Sequence, residues 1–216
     1  TNGNAEGQFD LPYNVATDSV GNLLVSDGTN HRIQVFDANG TYLRKFGFKG
    51  DQRFDPTGLL VDEAGNHYVA DGIGHRILKW DENATPLAIF ATEGAAEGSV
   101  KEPRQLAFGP EGRIFAVERD NNRVSVFERN GTFVRSFGSE FDKPEGVTVS
   151  PQGEIYVADT NNHRIQVFDL NGSFRRTFGE QGDLDGRFNR PMGLGFNGAG
   201  ELLVADYGNS RIQALD

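Results

Sequence analysis

Five acidic residues in this 216-residue chain are each followed five places later by an arginine: Asp27 and Arg32, Asp71 and Arg76, Glu118 and Arg123, Asp159 and Arg164, Asp206 and Arg211. An acid and a base that meet across a short loop form a charge-assisted, forked hydrogen bond, the strong form of such a pair. Catalysis needs one special constellation, whereas five equal copies of a pair belong to a scaffold. The histidines meet the same test. His31, His75 and His163 occupy one equivalent place just before the arginine, while His67 stands in an apolar run of the second copy. Equivalent places on stacked sheets lie about 10 Å apart, and zinc needs its nitrogens at ~2.0–2.1 Å. Three such histidines therefore do not share one ion without other ligands, and they are expected to bond to the backbone. Asp183-Leu184-Asp185-Gly186 begins like a calcium loop, but the glutamate required at position twelve is replaced by Leu194. The chain has no phosphate-cradling glycine loop, nucleophile elbow or paired-histidine zinc motif.

The elements that carry these pairs recur with them. Pro12, Pro56, Pro103, Pro144 and Pro191 each stand fifteen places before an acid, so the Pro-to-Arg segment keeps one length in every copy. Within a copy, an apolar stretch after Pro144 leads to a turn at Gln152-Gly153 and a second strand, Ile155 to Ala158. Asp159 to His163 form a loop, and Arg164 to Phe168 a third strand. Asn171-Gly172 then predicts a type I′ hairpin, with positive φ at both central residues, into a fourth strand from Phe174 to Phe178. Asn39-Gly40 and Asn130-Gly131 fill the same turn. The sequons at Asn39, Asn83, Asn130 and Asn171 read as this turn chemistry rather than as glycosylation sites. Four antiparallel strands in about 45 residues match a β-propeller blade and not a helical or leucine-rich repeat. Phe46, Phe137 and Phe178, with Phe9, Phe54, Phe141 and Phe188 just before the prolines, are expected to wedge between neighbouring blades.

The run of proline, apolar strand, glycine turn, Ile155-Tyr156-Val157-Ala158-Asp159, Asn161-Asn162-His163-Arg164-Ile165-Gln166-Val167-Phe168, Asn-Gly and Phe-Gly resembles the NHL repeat. The resemblance covers essentially the whole chain. It implies an all-β propeller of four-stranded antiparallel blades, six in the family norm, against five NHL-like repeats here. A single propeller over 1–216 is expected, with repeats at 12–55, 56–102, 103–143, 144–190 and 191–216 and a tail, 1–11, entering the first blade. Either the ring has five blades with an incomplete closing sheet, or a sixth repeat lies outside this chain.

Composition narrows the partners. Hydrophobic residues make up 37 % and glycine is abundant, at 28 residues, as many tight turns require. With 21 basic and 31 acidic residues the net charge of −10 opposes phosphate backbones and anionic lipid. No apolar run approaches the ~20 residues of a membrane span, so no membrane insertion is expected. No compartment is legible; a soluble extracytoplasmic part of a larger protein is one option. The absence of cysteine excludes disulfides and thiol ligands.

In a repeat protein, scaffold positions recur and functional ones do not. The residue after each proline varies fully: Tyr13, Thr57, Arg104, Glu145 and Met192. The loop after each acid varies as well, supplying Arg119 and Tyr207, with Lys101 and Lys143 nearby. Tyr13, Arg104, Arg119, Glu145 and Tyr207 are therefore the candidate ligand face, and arginine and tyrosine are types enriched in binding hot spots. Ring closure would bring Tyr13 and Tyr207 together. NHL propellers resemble ubiquitin-ligase adaptors and bacterial sensor domains, which implies a protein- or peptide-binding scaffold and no cofactor. Two alternatives stand beside it. Related propellers include metal-dependent lactonases and lyases, for which Asn14, Gln105 and Glu145 are the candidate channel ligands of calcium or zinc. Some animal NHL proteins bind single-stranded RNA, which Lys101, Arg104 and Arg119 would serve and the net charge disfavours.

Overall fold

In the computed structural model of the chain, residues 1–47, 54–138 and 140–216 are described. Among these residues nineteen strands form five antiparallel sheets, each in simple sequence order. The first sheet holds β1 (Pro12–Thr17), β2 (Leu23–Asp27), β3 (Arg32–Phe36) and β4 (Tyr42–Phe46). The second holds β5 (Pro56–Val61), β6 (His67–Asp71), β7 (Arg76–Trp80) and β8 (Pro86–Phe90). The third holds β9 (Pro103–Phe108), β10 (Ile114–Glu118), β11 (Arg123–Phe127) and β12 (Phe133–Phe137). The fourth holds β13 (Gly146–Val149), β14 (Ile155–Asp159), β15 (Arg164–Phe168) and β16 (Phe174–Phe178). The fifth has three strands, β17 (Pro191–Phe196), β18 (Leu202–Asp206) and β19 (Arg211–Leu215). These are the blades of an all-β protein of the β-propeller class, and the helices among the described residues are three single 3₁₀ turns. Among the described residues no helix is long and apolar enough to cross a membrane.

The chain divides into two compact units: 1–95 with 99–103, and 96–98 with 104–216. In the first unit, Leu24, Ile33 and Val35 of one sheet bury against Leu59, Val69, Leu78 and Trp80 of the next. In the second unit, Phe115, Val124 and Val126 meet Val147, Ile155 and Val157, and a further cluster joins Ile165 to Leu194, Leu202 and Val204. Both faces of an inner strand are covered in this way. That is why runs such as Tyr68-Val69-Ala70 are apolar without alternation. The phenylalanines seal the seams: Phe46 packs edge-on to Trp80 at 5.5 Å, Phe137 meets Phe168 at 5.1 Å and Phe178 meets Phe188 at 6.4 Å. Phe54 and Phe188 are fully buried.

The hairpin between third and fourth strands differs from the expected type I′ turn. Gly40, Gly131 and Gly172 have φ of 81°, 91° and 81°, but the preceding asparagines keep negative φ. Asp37 explains the change, because its Oδ1 accepts the N–H of Asn39 at 2.9 Å and of Thr41 at 2.8 Å. That Asx geometry sets a right-handed first turn, the glycine alone takes the left-handed position, and the register shifts between Val35 and Phe36 as at a bulge. Asp81 and Asp169 hold their hairpins in the same way. In the second sheet the left-handed place falls to Ala84, at φ 64°.

Candidate functional site

Each acid–arginine pair joins the end of a second strand to the start of a third. Asp159, with no solvent exposure, accepts Arg164 Nε at 2.7 Å, Gln166 Nε2 at 2.8 Å, Asn162 Nδ2 at 3.0 Å and the Asp142 N–H at 2.8 Å. Arg164 Nη2 also donates to the Glu140 carbonyl at 3.1 Å, so the phrase pins the connector that enters its own blade. Asp27, Asp71, Glu118 and Asp206 repeat the arginine contact at 2.7, 2.8, 2.8 and 2.9 Å. Burial pushes the Asp206 carboxyl up, but the bonds from Asn189, Asn209, Arg211 and Gln213 outweigh it and hold the group below the usual aspartate range. In the third sheet Glu118, longer by one methylene, reaches Ser125, which stands where Gln34, Gln166 and Gln213 stand elsewhere. The long acid with short partner replaces the short acid with long partner.

The loop histidines bond the backbone. His75 Nδ1 accepts the Glu102 N–H at 2.9 Å, and His163 Nδ1 accepts the Arg190 N–H at 3.1 Å. Asn122 takes the equivalent place and accepts the Lys143 N–H at 2.9 Å. His31 Nδ1 lies 2.7 Å from the Phe54 carbonyl and is therefore its donor. All four residues sit in left-handed backbone, φ 49–55°, which histidine and asparagine tolerate better than most. His67 is different. It is buried, stacks on Phe46 at 5.0 Å, and burial together with the Arg44 charge pushes its pKa down to about 4.

The unrepeated residues gather in the second unit. Arg104 on β9, Arg119 just after β10 and Glu145 just before β13 converge: Arg119 Nε lies 2.7 Å from Glu145 Oε1 and Arg104 Nε 3.4 Å from Glu145 Oε2. Asp120 extends the cluster, 3.7 Å from Arg119 Nη1 and 2.8 Å from Lys143 Nζ. Three basic and two acidic side chains, all partly exposed, thus line one loop surface of the third and fourth sheets. Tyr207 is exposed, with the Arg190 guanidinium 5.8 Å from its ring centroid. Tyr13 lies in the first unit, half exposed, with its ring over Gly28. A Cβ at Gly28 would meet that ring at 2.4 Å.

Gln105 was expected at a channel, and its amide is committed elsewhere. Nε2 donates to the Leu194 carbonyl at 2.7 Å and Oε1 accepts the Leu194 N–H at 3.1 Å. With Glu145 held between two guanidinium groups, Gln105 and Glu145 do not make a donor set suited to calcium or zinc. Among the described residues no three His, Asp or Glu side chains converge on a metal position. The recurring asparagine three places after the acid and glutamine seven places after it complete the clamp, and their recurrence is the signal by which the sequence marks them.

The NHL repeat model matches residues 141–168 and 188–215. The chain is similar to protein brain tumor of Drosophila melanogaster, 33 % identical over 136 residues, or 62 % of this chain and 13 % of that protein. It is also similar to the B-box type zinc finger protein ncl-1 of Caenorhabditis elegans, 51 % identical over 37 residues, or 17 % of this chain and 4 % of that protein. The chain thus spans a small part of the curated relatives it matches. Among solved structures, a streptogramin B lyase shares the fold with TM-score 0.75 at 14 % identity, over 95 % of this chain and 68 % of that one. A putative gluconolactonase does so with TM-score 0.76 at 14 % identity, over 98 % and 76 %. At these identities the likeness concerns fold alone.

Proposed function

Since the chain is an NHL-repeat protein of the β-propeller class, we propose that it is a binding module whose loop face on the third and fourth blades holds a protein or peptide. The observation that carries this reading is the Arg104–Glu145–Arg119 cluster. Its members occupy positions that differ in every other repeat, and the neighbouring sheets give them no scaffold counterpart. Arginine fits such a role because its planar fork recognises carboxylates and carbonyls with defined geometry and stacks on aromatic rings. A lyase or lactonase reading would need an acid–base or metal centre, and the acid of this loop cluster, Glu145, is held between two arginines. A nucleic-acid reading would need a basic face, and the cluster is nearly balanced in a chain of net charge −10.

Selection of a displayed random-peptide library on the wild-type protein tests the reading. Selected peptides are expected to lose binding by about tenfold or more to the Arg104→Glu/Arg119→Glu protein, with circular dichroism reporting the folded fraction. Equal binding by that folded variant would move the site off this face.

A further inference from the structure

The cluster on the third and fourth blades is built around one shared acid. Glu145 Oε1 lies 2.7 Å from Arg119 Nε and Oε2 3.4 Å from Arg104 Nε, so each oxygen faces a different guanidinium group. The acid is fixed from behind. Its N–H donates to the Ala158 carbonyl at 3.2 Å, its carbonyl accepts the Gln105 N–H at 3.3 Å, and a Cβ at Gly146 would collide with the Met192 carbonyl. Two cations on one anion leave the trio a single positive charge. Asp120 does not cancel it, because it lies 2.8 Å from Lys143 Nζ but 3.7 Å from Arg119 Nη1. Two guanidinium groups also carry more N–H donors than one carboxylate accepts. Exposure then sets the order of approach: the Arg119 side chain is 28 % exposed and that of Glu145 10 %, so an incoming group meets the arginine first.

We propose, resting on the binding role assigned to this face, that the partner segment is an acidic peptide and that Glu145 holds the place of its carboxylate. A partner Asp or Glu docks on the Arg119 fork and takes over part of the charge that Glu145 otherwise satisfies. Glu145 then has two effects. It keeps the forks oriented before a partner arrives, and it competes with every carboxylate that does arrive. Binding is thereby restricted to segments whose further contacts outweigh the competition. A basic segment does not fit, since it would raise the trio from one positive charge to two while Asp120 is already paired with Lys143. A phosphate backbone fits poorly as well, because the fork offers one anion place in a chain of net charge −10.

The probes are the peptides selected from the displayed library, each resynthesised with every Asp and Glu replaced by Asn and Gln, and a uridine oligonucleotide. All carry fluorescein and are titrated by anisotropy into the full 216-residue protein. The selected peptides should share an acid at one position, and their amide versions should bind about tenfold more weakly. Glu145→Gln keeps the shape and removes the competing charge. It should strengthen the acidic peptides about tenfold and leave the amide versions within about twofold. Peptides that share Lys or Arg instead, amide versions that bind as well as the acidic ones, a folded Glu145→Gln protein that binds acidic peptides no more tightly, or an oligonucleotide that binds more tightly than they do would each overturn the proposal. The amide comparison decides the matter should Glu145→Gln fail to fold. Two failures are told apart by the Arg104→Glu/Arg119→Glu protein. Peptides that bind it as they bind wild type remove the face and the acidic partner together, whereas peptides that lose binding there without depending on their acids remove the acidic partner alone.

Discussion

Two ion pairs of the same length do different work in this molecule. Arg164 meets Asp159 at 2.7 Å, and Arg119 meets Glu145 at 2.7 Å. Distance does not tell them apart, and neither does the exposure of the arginine, 26 % against 28 %. What differs is how many parts of the fold share the acid. Asp159 is fully buried and gathers an arginine, a glutamine, an asparagine and a backbone N–H from the incoming connector, and its arginine pair recurs in every blade. Glu145 keeps some contact with water, joins two guanidinium groups of the third blade, and has no counterpart elsewhere. The first arrangement spends its chemistry on position; the second leaves it on a surface where a ligand competes with solvent.

The contrast breaks most sharply at the buried acid. Asp159→Ala strands Arg164 and the connector donors, and urea unfolding should report a loss of about 3–5 kcal/mol. His67 measures what burial costs without a partner acid. Its folded pKa, about 4, lies below the unfolded value of 6.5, so stability is full above pH 6.5 and is lost as pH falls toward 4. The loss amounts to roughly 3 kcal/mol over that window, and unfolding midpoints of His67→Gln between pH 7 and 4 should lack it. The third blade sharpens the comparison from within. Glu118→Asp and Ser125→Gln should each cost about 1–2 kcal/mol, while the double variant, which rebuilds the Asp159–Gln166 pairing, recovers most of it in a double-mutant cycle. Arg119→Gln should cost about 1 kcal/mol or less, because a partly exposed pair is screened by water. Smallest and opposite in sign, Ala84→Gly should raise stability by about 0.5–1 kcal/mol by relieving the left-handed backbone, read as a higher thermal midpoint.

Much of the fold was legible in the sequence because a repeat states each rule several times. Five copies of the acid–arginine spacing place the loop between second and third strands, and the prolines mark the first strands. The hairpin was misread for a physical reason. Asn-Gly taken as a pair predicts two left-handed residues, but Asp37, Asp81 and Asp169 reach forward two and four places and set the turn themselves. Spacing alone does not show which of two competing side chains captures a backbone N–H. The convergence of Arg104, Arg119 and Glu145 was legible only as a list of positions that vary. That Glu145 lies between the two arginines depends on packing between blades, which periodicity does not encode. Gln105 stood among the channel residues for the same reason, and spacing does not show that its amide makes two hydrogen bonds to the Leu194 backbone.

The measurement that bears most directly on the division between clamp and face is the affinity of a peptide selected on the wild-type protein for the Arg104→Glu/Arg119→Glu variant, normalised to its folded fraction. A variant that stays folded and loses about tenfold or more in affinity is the predicted result. A folded variant that binds as wild type would contradict the account and return the cluster to the scaffold.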